Sequence, residues 1–216
     1  MLEWTAQLRG RFVVFDGPDG SGKSTQIERF TAWCAEHDVP LEIVREPGGT
    51  PIGEAIRRVL LDPAHEEMTV RTEMLLYMAS RAQLVEERIR PALEAQRMVL
   101  ADRFISSTLA YQGQAGGLDQ LEILEVGRVA MDGVEPDLVV IFDVDAATSL
   151  GRVSGVKDRM ERKSVTFHER VREGYLAQVK RDPAHHLVVD ASQGEDAVFE
   201  ALLRGLEAHL HTKATR

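Results

Sequence analysis

The chain has few cysteines and no long hydrophobic run. Cys34 is the single cysteine among 216 residues, so no disulfide can form within the chain and a reducing compartment is expected. No segment approaches the roughly 20 consecutive apolar residues that a transmembrane helix requires, and residues 1–11 lack the apolar run of a signal peptide. These absences argue against a membrane protein and predict a cytoplasmic one.

Basic charge is also scarce. The chain has 26 lysines and arginines against 35 aspartates and glutamates, which gives a formal net charge of -9. Because proteins bind nucleic acid largely by neutralising its phosphates, we do not expect this acidic chain to bind it. Any phosphate that the protein recognises must be held by a local cluster of cations.

The chain shows no internal repeat, low-complexity tract or linker, and its 44% of hydrophobic residues suffices for one domain over residues 1–216. Apolar runs alternate with segments of helical periodicity, which predicts an α/β fold with a five-stranded parallel sheet and helices on both faces. The predicted strands are Phe12–Phe15, Leu41–Val44, Met98–Ala101, Leu138–Phe142 and Leu187–Val189. The predicted helices are Lys23–Glu36, Ile52–Leu61, Val70–Arg90, Leu118–Met131, Ala146–Arg152, Thr166–Val179 and Glu195–Leu210.

A glycine-rich motif directly follows the first predicted strand. Residues 17–24 read GPDGSGKS, which matches the phosphate-loop pattern G-x-x-x-x-G-K-[ST] and opens a predicted helix. Backbone N–H groups of such a loop surround phosphates, Lys23 reaches their oxygens, and Ser24 offers a hydroxyl to Mg²⁺. The residues predicted to bind the nucleotide are Gly17, Pro18, Asp19, Gly20, Ser21, Gly22, Lys23, Ser24 and Thr25.

Two charged residues follow the third predicted strand. Asp102 and Arg103 should emerge at the carboxyl end of the sheet, beside the phosphate loop, because ligands of parallel sheets bind at that edge. A carboxylate there can hold Mg²⁺ directly or through water, so Asp102 joins Ser24 as a predicted metal contact, and Arg103 can hold a phosphate. GTPases, motor ATPases and small-molecule kinases all use such a loop, so these features leave the reaction open.

Six ordered segments resemble the thymidylate kinase family. They are FDGPDGSGKST at Phe15–Thr25, REPGGTPIGEAIR at Arg45–Arg57, EMLLYMASRAQ at Glu73–Gln83, DRFISSTLAYQG at Asp102–Gly113, PDLVVIFDV at Pro136–Val144 and DRME at Asp158–Glu161. The resemblance implies a P-loop kinase fold and transfer of the γ-phosphoryl group of ATP to dTMP, with Mg²⁺. It also implies a homodimer and a short lid over residues 151–164.

The resemblance assigns residues to the acceptor and to the donor. Tyr77, where phenylalanine is usual, is expected to stack on thymine, and Tyr111 to exclude a ribose 2′-hydroxyl. The remaining residues carried over are Arg81 and Thr108 at the pyrimidine, Gln112 among the substrate-binding residues, Asp19 at the 3′-hydroxyl, Arg45 and Arg103 at the acceptor phosphate, and Arg152 on adenine.

Members of the family differ in where the arginine that stabilises phosphoryl transfer lies. The phosphate loop here carries Asp19-Gly20 without an arginine, so the lid must supply the cation. Arg159 is the first candidate and Arg162 the second. The catalytic set predicted from the sequence is thus Lys23, Arg103, Arg159, Asp19 and Arg162.

Two alternatives stay open at this point. A kinase for another pyrimidine nucleotide, or for a deoxynucleoside, could use the same loop, Asp102-Arg103 and lid. A nucleotide-binding switch without transferase activity is the more remote alternative, because the chain lacks an Asn-Lys-x-Asp guanine-reading motif and has a basic lid.

Overall fold

The structure, a computed structural model, describes residues 4–152 and 158–214. The lid predicted over residues 151–164 therefore falls partly on residues 153–157, which lie outside the described part of the chain. No helix within the described residues is long and apolar enough to cross a membrane.

The centre of the fold is a parallel sheet of five strands in the order β2-β3-β1-β4-β5. The strands are β1 (Phe12–Asp16), β2 (Leu41–Arg45), β3 (Met98–Asp102), β4 (Leu138–Asp143) and β5 (His186–Asp190). The middle strands are buried on both faces, which explains why their sequences are continuous apolar runs rather than alternating ones. The predicted α/β class and strand number are confirmed.

Nine α-helices surround the sheet within the described residues. They are α1 (Lys23–Glu36), α2 (Pro51–Leu61), α3 (Val70–Leu84), α4 (Arg90–Glu94), α5 (Ile105–Thr108), α6 (Gln120–Met131), α7 (Ala146–Arg152), α8 (Val165–Arg181) and α9 (Glu195–Ala214). Side-chain oxygens of Thr50, Thr69, Asp119 and Ser164 cap α2, α3, α6 and α8 by accepting from backbone N–H groups of the first turn. These caps fix where the helices that border the cleft begin.

The sheet separates two hydrophobic layers. Phe15, Phe30 and Trp33 belong to the layer under α1 and α9, whereas Phe12, Phe104 and Tyr175 belong to the layer under α8. Because helices cover both faces, the carboxyl edge of the sheet is where ligands can reach the strand ends.

Two predicted boundaries differ from the structure. The helix predicted over Val70–Arg90 ends at Leu84 and continues as a π-helical segment, Val85–Ile89, before α4. Residues 113–117 contain three glycines, which predict a surface loop, but they begin inside a second π-helical segment, Leu109–Ala115, in which Gly113 is buried. The glycines suggested a loop, but tertiary packing against α8 holds this segment helical.

Candidate active site

A cleft of about 640 Å³ lies at the carboxyl ends of β1 and β3. Its wall combines the phosphate loop, the end of β3, helix α3, the Leu109–Ala115 segment, the lid turn and the start of α9. The lining residues include Asp19, Lys23, Ser24, Glu46, Arg57, Tyr77, Asp102, Arg103, Thr108, Tyr111, Gln112, Arg152, Asp158, Glu161 and Gln193. One continuous cavity is therefore lined by the phosphate loop, by residues predicted to bind the donor nucleotide and by residues predicted to bind the acceptor.

The phosphate loop is held open by its glycines. Gly17 has φ +138° and a Cβ there would lie 2.5 Å from the carbonyl oxygen of Phe142, so only glycine fits. Lys23 donates to the carbonyl oxygens of Gly17 and Pro18 at 3.2 and 3.1 Å, across the loop that it closes. Burial, together with the charge of Arg103, lowers the pKa of Lys23 to about 8, although neighbouring carboxylates oppose the shift.

Asp19 lies at the centre of a charged cluster. Arg103 forms an ion pair with Asp19, and the Tyr111 hydroxyl donates to Asp19 Oδ2 at 2.9 Å. Burial raises the pKa of Asp19, but the charges of Arg103 and Lys23 and the bond from Tyr111 outweigh burial and bring the pKa below its ordinary value. The structure thus brings together three predicted site residues in a region that favours an ionised carboxylate.

Arg103 is positioned from beneath by a buried polar network. Asp16 accepts from Ser106 at 2.6 Å, from Ser107 at 2.7 Å and from Tyr175 at 2.6 Å. Arg103 donates to Ser107 and Tyr175 at 3.1 and 3.2 Å and has a positive φ of 71°. Because these partners fix one edge of the guanidinium, Arg103 presents its other edge beside the phosphate loop.

The pair predicted to contact a metal lies together on the cleft wall. Asp102 and Ser24 both line the cleft, and Asp102 Oδ1 is buried with no hydrogen-bond partner among the described residues. An orphaned carboxylate oxygen beside a phosphate loop suits a hard cation that keeps most of its waters. Within the described residues, no group of three or more acidic, histidine or cysteine side chains forms a protein-only metal cage.

The far end of the cleft combines one aromatic ring with amide and hydroxyl groups. Tyr77, Thr108 and Gln112 all line it, as the resemblance implied. Burial raises the pKa of the Tyr77 hydroxyl, so this ring stays neutral. Arg81 is 1% exposed and lies behind the wall, where it donates to Thr108 Oγ1 at 3.1 Å and to Glu46 Oε2 at 2.5 Å.

The arginine on the cleft wall is Arg57 rather than Arg45, to which the resemblance gave the acceptor phosphate. Arg45 is half-exposed, pairs with Glu54 at 2.9 Å and is not among the residues that line the cleft. Arg57 lies on the cleft wall and donates to the carbonyl oxygen of Pro47 at 2.9 Å. The cleft therefore contains Lys23, Arg57 and Arg103 in the places where Lys23, Arg45 and Arg103 were expected.

The lid cations fall into three different environments. Arg152 lines the cleft and donates to the carbonyl oxygen of Ala191 at 2.9 Å. Arg159 is 3% exposed, donates to the carbonyl oxygen of Leu60 at 2.7 Å and lies outside the cleft lining. Arg162 is exposed on the lid turn. The structure does not bring Arg159 together with the phosphate loop.

Three residues of the site were not anticipated from the sequence. Glu46 and Glu73 each bind a buried arginine, and Arg57 lines the cleft. Burial raises the pKa of Glu46 to about 7, and the charge of Arg81 opposes this shift. The available signal was helical spacing: Arg57 follows the buried Gly53 by four residues on the inner face of α2.

Comparison with known proteins agrees with this geometry. A family model described as thymidylate kinase matches residues 15–202. The thymidylate kinase of Geobacillus sp. (strain WCH70) is 44% identical over 196 residues, which cover 89% of this chain and 93% of that protein. The chain belongs to the thymidylate kinase family. It is therefore an enzyme, a kinase that phosphorylates dTMP to dTDP with ATP as donor.

Other members of the family support the same assignment. The thymidylate kinase of Symbiobacterium thermophilum is 45% identical over 197 residues, or 91% of this chain and 92% of that protein. The crystal structure of a thymidylate kinase from Ehrlichia chaffeensis superposes with a TM-score of 0.73 at 31% identity and covers 91% of this chain and 96% of that one. The P-loop kinase fold implied by the motifs is thus confirmed.

Proposed function

We propose that the cleft aligns Mg-ATP and dTMP on either side of the phosphate loop for direct phosphoryl transfer. The observation that carries the proposal is the continuity of the cavity. Arg152 and Gln193, which offer a site for the adenine, line the same cavity as Lys23 and Arg103 and as Tyr77 and Gln112, which offer a site for the thymine. Positioning and charge neutralisation then supply most of the catalysis.

The acceptor phosphate is proposed to bind Arg57 and Arg103. Both guanidinium groups belong to the cleft wall, and forked donors can hold a phosphate in one orientation. The role that the resemblance gave to Arg45 passes to Arg57, because Arg45 pairs with Glu54 away from the wall. The acceptor, whose second pKa is roughly 6, already presents an anionic oxygen near neutral pH, so no general base is needed.

The nucleoside of the acceptor is proposed to lie between Tyr77 and the Leu109–Ala115 segment. Tyr77 stacks on the pyrimidine, and Thr108, held by Arg81, contacts its edge. Tyr111 is proposed to exclude a 2′-hydroxyl, and Asp19 to accept from the 3′-hydroxyl. The bond from Tyr111 to Asp19 supports this pairing, since it places both groups at one point of the wall.

Mg²⁺ is proposed to be held beside the donor phosphates by the Ser24 hydroxyl and by Asp102, which would hold it directly or through water. When bound, the ion would neutralise charge that develops on the transferring group. Lys23 contributes from the protein side, and Arg152 is proposed to stack on adenine. The unpartnered Oδ1 of Asp102 supports its part in this arrangement.

The lid cation is proposed to be Arg162 rather than Arg159. Arg159 is buried against α2 and α3, where a role in the transition state would require it to leave an ion pair with Glu73. Arg162 lies on the exposed side of the turn that lines the cleft. Truncating Arg162 should therefore lower kcat more than it raises the KM for dTMP, and a change in KM alone would refute this assignment.

The chain is proposed to act as one domain and as a homodimer in the cytoplasm. A single cleft lined by residues from 19 to 198 supports the first point. The exposed Leu75 on α3 supports the second, since α3 presents apolar surface that the core does not use. Sedimentation equilibrium at micromolar concentration tests the dimer, and a monomer mass would refute it.

The reaction itself is tested by product analysis. The purified chain with dTMP and Mg-ATP should form dTDP and ADP in equal amounts, measured by ion-exchange chromatography. Lys23→Ala should lower turnover by 10²-fold or more, an estimate typical of losing one donor to the transition state. The matched control is Lys180→Ala, an exposed lysine of α8, which should keep normal turnover. Absence of dTDP with the wild-type chain would refute the proposal.

A further inference from the structure

A buried polar chain joins the lid turn to the thymine end of the cleft. Glu73 of α3 accepts from Gln112 Nε2 at 2.6 Å through its Oε1 and forms an ion pair with Arg159 Nη2 at 2.5 Å through its Oε2. All three side chains are at most 5% exposed. Of the three, Gln112 alone lines the cleft.

This arrangement fixes which way the Gln112 amide points. The two ends of a glutamine amide are told apart only by their hydrogen-bond partners. Because a carboxylate in an ion pair has acceptors only, the group of Gln112 that faces Glu73 at 2.6 Å must be the NH₂ end. A reversed amide would place two acceptor oxygens against each other.

The carbonyl end of the same amide is left for the ligand. No residue of the described chain donates to Gln112 Oε1, and the side-chain bond that Gln112 makes there is the one from its Nε2 to Glu73. Gln112 itself lines the same cleft as Tyr77 and Thr108. We infer that Glu73, held by Arg159, is a positioning residue that makes Gln112 present a hydrogen-bond acceptor to the pyrimidine. The inference rests on the proposed function, which places the base at this end of the cleft.

A hydrogen-bond acceptor at this point favours bases that carry a hydrogen on N3. Thymine and uracil carry a hydrogen on N3 and can donate to Gln112 Oε1, whereas the N3 atom of cytosine is itself an acceptor. A site built to accept one N–H rejects a ligand that lacks it, because its buried oxygen is then unpaired. Glu73 would therefore contribute to the rejection of dCMP without contacting any substrate.

Arg159 has a defined part in this arrangement. Its Nε donates to the carbonyl oxygen of Leu60 at 2.7 Å and its backbone N–H to that of Leu61 at 3.2 Å, so α2 holds it in place. A buried arginine in turn requires a partner carboxylate, which keeps Glu73 in one position. The lid arginine thus supports the base-reading amide rather than the phosphates.

The test compares Glu73→Gln with Glu42→Gln. The introduced amide can donate or accept, so it no longer dictates the orientation of Gln112. Glu42 is a matched control, since it pairs with Arg88 and Arg97 and lies outside the cleft lining. Steady-state kcat and KM are measured for dTMP, dUMP, dCMP and N3-methyl-dTMP, with thermal unfolding to confirm the fold.

Glu73→Gln should lower two ratios by about 10-fold or more: the kcat/KM for dTMP divided by that for dCMP, and the kcat/KM for dTMP divided by that for N3-methyl-dTMP. The change should come mainly from a higher KM for dTMP. The ratio of dTMP over dUMP should stay constant, because both bases donate from N3. Glu42→Gln should leave all three ratios unchanged.

A second variant is used if Glu73→Gln unfolds because the buried charge of Arg159 has lost its partner carboxylate. Glu73→Gln combined with Arg159→Met removes both charges, which often restores stability, and should give the same narrowed ratios. An equal fall in kcat/KM for all four acceptors, or unchanged kcat/KM ratios, in either folded variant would overturn the inference. If the wild-type chain fails to phosphorylate dTMP, the proposed function fails instead.

Discussion

At the scale of single residues, the burial of Lys23 sets the pH range in which its side chain is charged. Its pKa of about 8 in the ligand-free protein means that the side chain begins to lose its charge just above neutral pH. Phosphates favour the charged form, so their binding must take up a proton once the free protein is deprotonated. The affinity for nucleotide should therefore fall as the pH rises above the pKa of Lys23.

The affinity for Mg-ADP should change little near pH 7.5 and then fall by up to tenfold per pH unit above about 8. The phosphates of Mg-ADP have lost their last proton well below pH 8, so the slope above pH 8 reports the protein. Isothermal titration calorimetry at several pH values measures the effect. Lys23→Arg keeps its charge throughout and should abolish the slope, and a slope that persists in this variant would contradict the assignment to Lys23.

Arg57 and Arg45 form a second comparison at this scale. Removal of a charge-assisted contact to the acceptor phosphate costs about 1.5–3 kcal/mol, or roughly 10- to 100-fold in kcat/KM. Arg57→Ala should show this loss for dTMP, whereas Arg45→Ala, whose side chain pairs with Glu54, should change the same constant by less than about threefold. Steady-state kinetics of both variants decide between them, and the reverse ranking would return the phosphate role to Arg45.

These residues also show what the sequence could and could not predict. The predicted phosphate loop lies between β1 and α1, where the pattern predicts it, because each of its positions has a local task that a short pattern describes. Arg45 ends β2 and Arg57 lies on α2, both within one matched segment, and only tertiary packing decides which of them reaches the cleft. On the sequence alone Arg159 is assigned to the phosphates, whereas the structure buries it between α2 and α3. This burial depends on tertiary packing, which a run of charged residues does not reveal.

At the scale of elements, the close contact of α8 with the Leu109–Ala115 segment holds the acceptor end together. Gly174 makes this approach possible: a Cβ at its position would lie 2.8 Å from the Cβ of Gln114 and 3.0 Å from the Cα of Ala110. The same helix carries Tyr175 to Asp16. The contact therefore links the stability of the fold to the position of Arg103.

Gly174→Ala should lower the free energy of unfolding by about 1–3 kcal/mol, because the added methyl group meets backbone that cannot move cheaply. For a chain of this length the midpoint of thermal unfolding should fall by roughly 2–12 °C. Gly151→Ala is the control, since a Cβ there meets no atom within 4 Å in a helical position, and its midpoint should stay equal or rise slightly. Equal midpoints for the two variants would show that the contact is not tight.

The elements themselves were largely predictable, and their exceptions have a common cause. All five strands were placed within about two residues at each end, because buried parallel strands are continuous apolar runs between turns. Both π-helical segments, Val85–Ile89 and Leu109–Ala115, were missed. Their wide turns are stabilised by what packs on them, and neither periodicity nor glycine content carries that information.

At the scale of the whole molecule, an acidic chain concentrates its useful cations in one cleft. The net charge of -9 disfavours polyanions elsewhere on the surface, while Lys23, Arg57, Arg103 and Arg152 line the cavity. Two polyanionic nucleotides can therefore meet only where these cations offset their repulsion. Family membership defines the reaction, and the arrangement of the cleft accounts for the proposed choice of acceptor.

The most direct test of the account is a parallel steady-state assay of dTMP, dUMP, UMP and CMP with Mg-ATP. We expect the highest kcat/KM for dTMP, a lower value for UMP because Tyr111 is proposed to exclude its 2′-hydroxyl, and the lowest value for CMP because it combines that hydroxyl with an N3 acceptor. A value for CMP or UMP equal to that for dTMP would contradict the assignment of the thymine end of the cleft. Hydrolysis of ATP with no phosphorylated acceptor would contradict the account as a whole.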